Sequence, residues 1–292
     1  MNKSKIEWCD STWNPVTGCK HECTYCYARK IVQRFSTQTA SPDGSTHDLK
    51  KHSKTIYPFG FDPTFHRYRL DEPSQKTKPQ NIFVCSMADL FGEWVPDEWI
   101  DKVFQNCFNA DRHRYLFLTK NPKRYDSSID YTASEERGTE EIEIWDNMWF
   151  GTTVTCQADM ERVKQLETFS EGHKFLSIEP IQEKIDLDLS GYRCPLCGSV
   201  YVYKDNPVTT PAEIPPYYCE DCGDWEGEEP ARLIEWVIVG AETGPGAKPP
   251  EPEWVQSIIN QCRDAGIPVF LKNNLNWPMR IQEFPWDKKE SD

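Results

Sequence analysis

Six short apolar runs, each ending in polar residues, set the strongest limit on how this chain can fold. They are "NIFVCSMAD" (81–89), "RYLFLTKN" (114–121), "MWFGTTVT" (148–155), "KFLSIEP" (174–180), "IEWVIVGAET" (234–243) and "IPVFLKNN" (267–274). Continuous rather than alternating Val, Ile, Leu and Phe suits strands buried on both faces, the habit of parallel sheets. Between the runs lie stretches of helical period. "PDEWIDKVFQNCFNA" (96–110) sets Trp99, Val103, Phe104 and Phe108 on one stripe. "ADMERVKQLETF" (158–169) and "EPEWVQSIINQCRDAG" (251–266) read alike, the second stopped by Gly266. Alternating strand and helix means parallel strands joined by crossovers. A further strand near the N-terminus brings the total to about seven, so the expected fold is α/β, a full or partial parallel (β/α) barrel.

In such a barrel the C-terminal strand edges converge on one mouth, where catalytic groups sit. The runs deliver Ser86 and Asp89, Thr119 and Lys120, Thr152 and Thr153, Ser177 and Glu179, Glu242 and Thr243, and Lys272 and Asn273 to that edge. Strand ends meet solvent and are polar anyway, but this many carboxylates, lysines and threonines together favour a site. Two stretches break the pattern. Residues 36–80, rich in Ser, Thr, Lys and Pro, read as a loop excursion or lid. The acidic "TASEERGTEEIEIWD" (132–146) reads as a solvated surface insertion.

No apolar stretch among the 292 residues approaches the roughly 18 that a membrane span needs. "MNKSKIEWCD" lacks an apolar signal core, so the expectation is a soluble, cytoplasmic protein with no membrane partner. Net charge is −14, unevenly spread: residues 1–124 hold 19 Lys and Arg against 14 Asp and Glu, and residues 125–292 hold 14 against 33. An acidic protein binds duplex phosphate poorly in general. Its basic N-terminal half is still suited to a nucleotide or one strand.

The chain has twelve cysteines, and in a reducing compartment they serve as ligands or buried thiols rather than as disulfides. "CPLC" (194–197) and "CEDC" (219–222) form C-x2-C-x21-C-x2-C. Two such knuckles supply the tetrahedral four-thiolate shell that zinc favours, so Cys194, Cys197, Cys219 and Cys222 are the expected ligands of a structural zinc. This zinc ribbon, residues 190–230, interrupts a barrel domain made of residues 1–189 and 231–292. It hangs on the crossover between the strand ending at Glu179 and the one starting near Ile234, with the barrel mouth as one place for it.

"TGCKHECTYCYARK" (17–30) carries Cys19, Cys23 and Cys26 as C-x3-C-x2-C. Zinc would need a fourth ligand, with His21 and Cys9 available. A thioredoxin-like reading of "CTYC" leaves Cys19 idle, and the haem-attachment histidine is missing. A three-thiolate loop suits a cubane iron–sulfur cluster with one iron free for an outside ligand.

With its aromatic residue before the last cysteine and its place after a first strand, this loop resembles the signature of the radical S-adenosylmethionine superfamily. "EWCDSTWNPVTGCKHECTYCYARK", "SMADLFGEWVPDEWI", "FLTKNPKR", "FLSIEP" and "WVIVGAETGPGAKP" further resemble the phage Gp37/Gp68-type family of that superfamily, distantly similar to spore photoproduct lyase. The likeness runs from about residue 6 to residue 275, apart from the ribbon and the 36–80 excursion.

That resemblance implies a [4Fe–4S] cluster on Cys19, Cys23 and Cys26, and S-adenosylmethionine cleaved by one electron to a 5′-deoxyadenosyl radical that abstracts hydrogen from substrate. By the same resemblance Tyr25 lies near the adenine, and Ser86 and Asp89 accept from the methionine ammonium. Lys120 faces the carboxylate or the substrate, Thr152 and Thr153 the ribose, and Glu179 and Glu242 the substrate as anchors or proton acceptors. Cys85 and Cys156 read as small buried hydrophobes, the alternative being hydrogen donors to a product radical. The implied substrate is a nucleobase or modified nucleotide in phage-type DNA, and the implied partner an electron donor such as flavodoxin or ferredoxin. Two other readings stand: a radical enzyme acting on a free metabolite or nucleotide, and a non-enzymatic, zinc-dependent nucleic-acid-binding protein.

Overall fold

The computed structural model describes residues 1–36, 41, 45–128, 146–169, 171–194, 196, 199, 202–204, 217–225, 230–244 and 246–287. The acidic stretch 132–145 and Cys197 lie outside the described residues.

Seven strands run parallel, each hydrogen-bonded to the one before it in the chain. They are β2 (Ser11–Trp13), β3 (Asn81–Val84), β4 (Arg114–Thr119), β5 (Met148–Thr153), β6 (His173–Ile178), β7 (Trp236–Val239) and β8 (Val269–Leu271). A short antiparallel strand, β1 (Asn2–Lys3), edges β2. Winding in one direction curls the sheet into a half-barrel with β1 and β8 at its ends, so the barrel is partial. Helices α1 (Tyr27–Phe35), α2 (Asp97–Asn109), α3 (Arg124–Ser128), α4 (Met160–Glu167) and α5 (Pro252–Asp264) lie along the chain between strands. None of the described helices is long and apolar enough to cross a membrane.

Successive residues of a strand point to opposite faces. One set packs under the helices: Tyr115 and Phe117 of β4, Phe150 of β5, Leu176 and Ile178 of β6, and Val237 and Val239 of β7 meet Val103, Phe104, Val163 and Ile258 there. The other set fills the concave side with Phe83, Leu116, Trp149, Phe175, Trp236 and Phe270. Phe284 and Trp286, beyond β8, join this inner cluster, and the Trp236 and Trp286 rings lie 5.2 Å apart. Because Trp236 opens β7 and Arg114, which opens β4, lies over the Trp286 ring, the aromatic plug closes the N-terminal end.

Part of the excursion folds into regular structure. His47–Leu49 and Thr64–His66 form a small sheet with Val16–Thr17. Phe65 is fully buried against Trp99, and the Trp13 indole donates to the Arg69 carbonyl at 2.7 Å. Residues 60–66 are buried in the core; residues 37–40 and 42–44 lie outside the described residues.

The ribbon lies away from the mouth. Tyr192–Arg193 pairs antiparallel with Ala231–Arg232, and this neck leads to a three-stranded sheet of Val202–Lys204, Tyr217–Cys219 and Gly223–Trp225. Leu233 N donates to the Gly191 carbonyl, and Arg193 reaches the carbonyl of Gly172, just ahead of β6. A neck anchored where β6 and β7 begin belongs to the N-terminal edge, opposite the strand ends that carry the polar residues. The segment after β6 makes this possible by running back down the sheet, burying Ile181, Ile185 and Leu189 where a crossover helix would otherwise sit.

Candidate functional site

Above the aromatic plug the concave side is open. A cavity of about 350 Å³ lies there, within the range of small-molecule sites. Ile6, Trp8, Phe83 and Leu118 form apolar walls, and the cluster loop closes one side through Cys19, His21, Cys23, Tyr25 and Cys26. Strand ends add Ser86, Asp89, Lys120, Thr153, Glu179 and Glu242. Alternation decides which neighbour faces in. Thr153 lines the cavity, whereas Thr152 is fully buried on the other face and donates to the Thr119 carbonyl at 3.0 Å. The structure thus does not bring Thr152 to the cavity with the other candidates.

Backbone geometry builds the cluster loop. Gly18 has φ of 88°, and a Cβ there would lie 2.2 Å from the Asp62 carbonyl oxygen, so the approach requires glycine. The Gly18 amide donates to Met87 O, tying the loop to the segment after β3. That segment turns at Cys85, a non-glycine residue in the left-handed region (φ 57°). Cys85 is buried, its thiol pushed up to about 12 by that burial. Cys26 begins α1, where its sulfur accepts from the Arg29 amide at 3.4 Å and faces the unpaired N–H groups of the first turn. Burial, with the Asp89 carboxylate adding to it, holds the Cys19 thiol up at about 12. A metal binding there must displace a tightly held proton.

Asp89 is the hub of this wall. Its Oδ2 accepts from His21 Nε2 at 2.7 Å and from the Lys120 amide at 2.9 Å. Its Oδ1 accepts from Thr119 Oγ1 at 2.7 Å and from the Phe91 amide at 3.1 Å. Four donors match the roughly four lone-pair sites of a carboxylate. Asp89 therefore acts as a brace between the loop and β4 more than as a free acceptor. Ser86 Oγ donates to Asn14 Oδ1, which also accepts from the Met87 amide. The Lys120 ammonium lies 3.1 Å from Cys23 Sγ, donates to the Tyr25 hydroxyl, and sits 4.7 Å from the centroid of the Tyr25 ring. Burial opposes its charge, but Tyr25 and Cys23 outweigh that and raise its pKa above the usual lysine value.

Across the cavity Glu179 pairs with Lys272, each projecting from the end of its strand over β7. Gly240 makes room for the pair. A Cβ there would lie 3.0 Å from Glu179 Cγ and from Lys272 Cδ. Lys272 was placed at the barrel edge by its run but not read as a site residue. Its signal was alternation: Phe270 and Lys272 share a face, as do Phe175, Ser177 and Glu179. Trp8 was also missed, since nothing in "EWCD" marks a residue that walls a cavity.

The second thiol group has different geometry. Cys194, Cys219 and Cys222 bring their sulfurs within 4.8 Å of one another, with Cys194 and Cys222 at 3.5 Å. Thiolates about 2.3 Å from one zinc have this kind of spacing. Among the described residues this is the group of three or more Cys, His, Asp or Glu ligand atoms that closes so tightly, and Cys19, Cys23 and Cys26 do not.

No curated protein and no solved structure matches this chain. Residues 3–290 match the family described as "Protein of unknown function (DUF5131)", nearly the whole length over which the strands, the cluster loop and the ribbon are laid out, and the chain belongs to that family.

Proposed function

We propose that the chain is a radical S-adenosylmethionine enzyme, with Cys19, Cys23 and Cys26 as the thiolates of a [4Fe–4S] cluster. The observation that carries this reading is the placement of three cysteines of one loop on the wall of a cavity at the C-terminal mouth of a parallel half-barrel. When bound, the cluster and S-adenosylmethionine supply one-electron cleavage of the sulfonium and a 5′-deoxyadenosyl radical that takes hydrogen from the substrate.

The chain's own groups supply position and shelter. The Trp8, Phe83 and Leu118 walls and the aromatic plug below keep water from a reactive centre. Asp89 holds His21 and the Lys120 backbone, fixing the loop against β4. Thr153 remains as a hydroxyl for the ribose, and Tyr25 as an aromatic face beside the cofactor. Glu179 and Lys272 set an acceptor and a donor side by side, and Glu242 adds a second carboxylate for substrate polar groups or a proton. A nucleobase or modified nucleotide of phage-type DNA is the proposed substrate, with a flavodoxin- or ferredoxin-type electron donor. A second reading, a free nucleotide or metabolite, is favoured by the attachment of the ribbon's neck at the edge opposite the mouth.

Anaerobically reconstituted protein is expected to hold about four irons and to form 5′-deoxyadenosine from S-adenosylmethionine after reduction. Reconstituted protein that binds zinc alone at Cys19, Cys23 and Cys26 would overturn the proposal. Binding of oligonucleotides against nucleotides across a salt series then separates the two substrate readings.

A further inference from the structure

Lys120 is held against the cysteine loop at both its backbone and its side-chain tip. Its ammonium is 3.1 Å from Cys23 Sγ, while its backbone amide is held by Asp89, which also holds His21 of the loop. The Tyr25 hydroxyl and ring take up two more directions around the same nitrogen. A side chain fixed at backbone and tip, and half-buried, is not a free arm reaching for a ligand. The other cation of the cavity, Lys272, is paired with Glu179. Among the described residues lining the cavity, Lys120 is thus the cation directed at a thiol of the cluster loop.

We infer that Lys120 sets the reduction potential of the cluster held by Cys23, stabilising its reduced form with a fixed positive charge beside a ligating sulfur. This rests on the cluster reading above. Reduction adds one electron from a low-potential one-electron donor to the cluster, with no bond made or broken and no proton moved. The negative charge that this adds is offset by the ammonium. Iron–sulfur potentials respond to net charge and to hydrogen bonds at the sulfurs, and the Lys120–Cys23 contact supplies both. Asp89 is a positioning residue in this scheme. It acts through the Lys120 backbone and through His21, without itself touching the cysteine.

The test is a potentiometric titration of the anaerobically reconstituted protein, followed by the electron paramagnetic resonance signal of the reduced cluster, with iron measured on the same samples. Lys120→Gln keeps a hydrogen-bond donor near Cys23 but removes the charge; Lys120→Arg keeps the charge. Expected is full iron in both variants, with the reduced-to-oxidised ratio at fixed potential about tenfold lower in the Gln variant, equivalent to about 59 mV for one electron. The Arg variant should stay within about twofold of the parent by the same measure. An unchanged potential in the Gln variant, or an equal fall in the Arg variant, overturns the inference. So does loss of iron from the Gln variant alone, which would make Lys120 a determinant of assembly instead. In each of these cases the parent still carries its cluster, so the enzyme reading survives. A parent that takes up no iron overturns both.

Discussion

The two thiol groups of this chain sit at opposite ends of one sheet and differ in nearly every physical respect. Cys194, Cys219 and Cys222 close within 4.8 Å on a small antiparallel sheet hung from the N-terminal edge. Cys19, Cys23 and Cys26 lie looser, on a loop that walls the cavity at the C-terminal edge, with a lysine ammonium beside one of them. Three thiols this close could hold one metal ion, and closed thiolate sites of that kind serve folding. A looser three-thiol loop facing a cavity leaves room for chemistry. Cysteine content alone does not separate these roles; spacing, neighbours and the edge of the sheet do.

The most severe test of that contrast exchanges the losses. On the radical-enzyme reading, Cys23→Ala is expected to abolish iron binding and 5′-deoxyadenosine formation while leaving metal binding at the ribbon thiols unchanged. Cys219→Ala should lose metal bound at the ribbon thiols, zinc being the expected ion, and keep the iron uptake proposed for the Cys19–Cys26 loop. Metal analysis of both variants reads this, and iron that disappears with Cys219 would end the division of labour. Next in size, Asp89→Ala leaves four donors without their acceptor and should destabilise the protein by about 3 kcal/mol in denaturant unfolding. It should also lower iron loading, because His21 and Lys120 lose their brace. Full iron in this variant would reduce Asp89 to a purely structural group.

The ribbon edge has its own marker. Lys174 is fully buried beside the neck, its ammonium without a hydrogen-bond partner. Burial, with Arg193 adding to it, holds its pKa down at about 7; Glu235, Glu171 and Glu167 pull the other way. A lysine depressed in the folded state is protonated more fully in the unfolded chain between pH 7 and its ordinary range near 10.4. Stability contributed at this site therefore rises with pH across that window and is flat below it. Lys174→Met should raise stability at pH 7 by about 2 kcal/mol and flatten that slope in denaturant titrations at two pH values. A parent and variant with equal slopes would remove Lys174 as the cause. The smallest effect sharpens the mouth. Thr152→Val should cost about 1 kcal/mol of stability and leave S-adenosylmethionine affinity unchanged, whereas Thr153→Val should weaken that affinity.

Much of this was legible in the primary structure. The six runs became strands, and the stripes at 96–110, 158–169 and 251–266 became α2, α4 and α5, because continuous apolar stretches and helical period are local signals. The cluster loop and its place after a first strand were readable for the same reason. What escaped was which neighbour faces in. "TT" at 152–153 looks uniform, yet the pleat sends Thr152 to the helix side and Thr153 to the cavity. The Asp89 brace joins residues 68 apart to His21 and 31 apart to Lys120, and Glu179 meets Lys272 across 93; no window of sequence holds either. The Ser, Thr, Lys and Pro content of residues 36–80 reads as a loop excursion or lid, but burial of Phe65 and the bond from Trp13 depend on partners far along the chain. The ribbon's edge was hidden because the return of residues 181–189 along the sheet has no periodic signature.

The neck of the ribbon has a consequence of its own. Tyr192 faces Arg232 and Arg193 faces Ala231, so the chain leaves the barrel and returns to it one ladder rung apart. Two strand ends held that close form a junction that a tight turn can bridge as readily as a whole module. The entropic cost of closing a loop grows only with the logarithm of its length, about 0.6 kcal/mol for each doubling. The barrel is thus nearly indifferent to what is grafted at this point. A gene encoding such a barrel can acquire, exchange or shed a module there without redrawing the strands that carry the mouth.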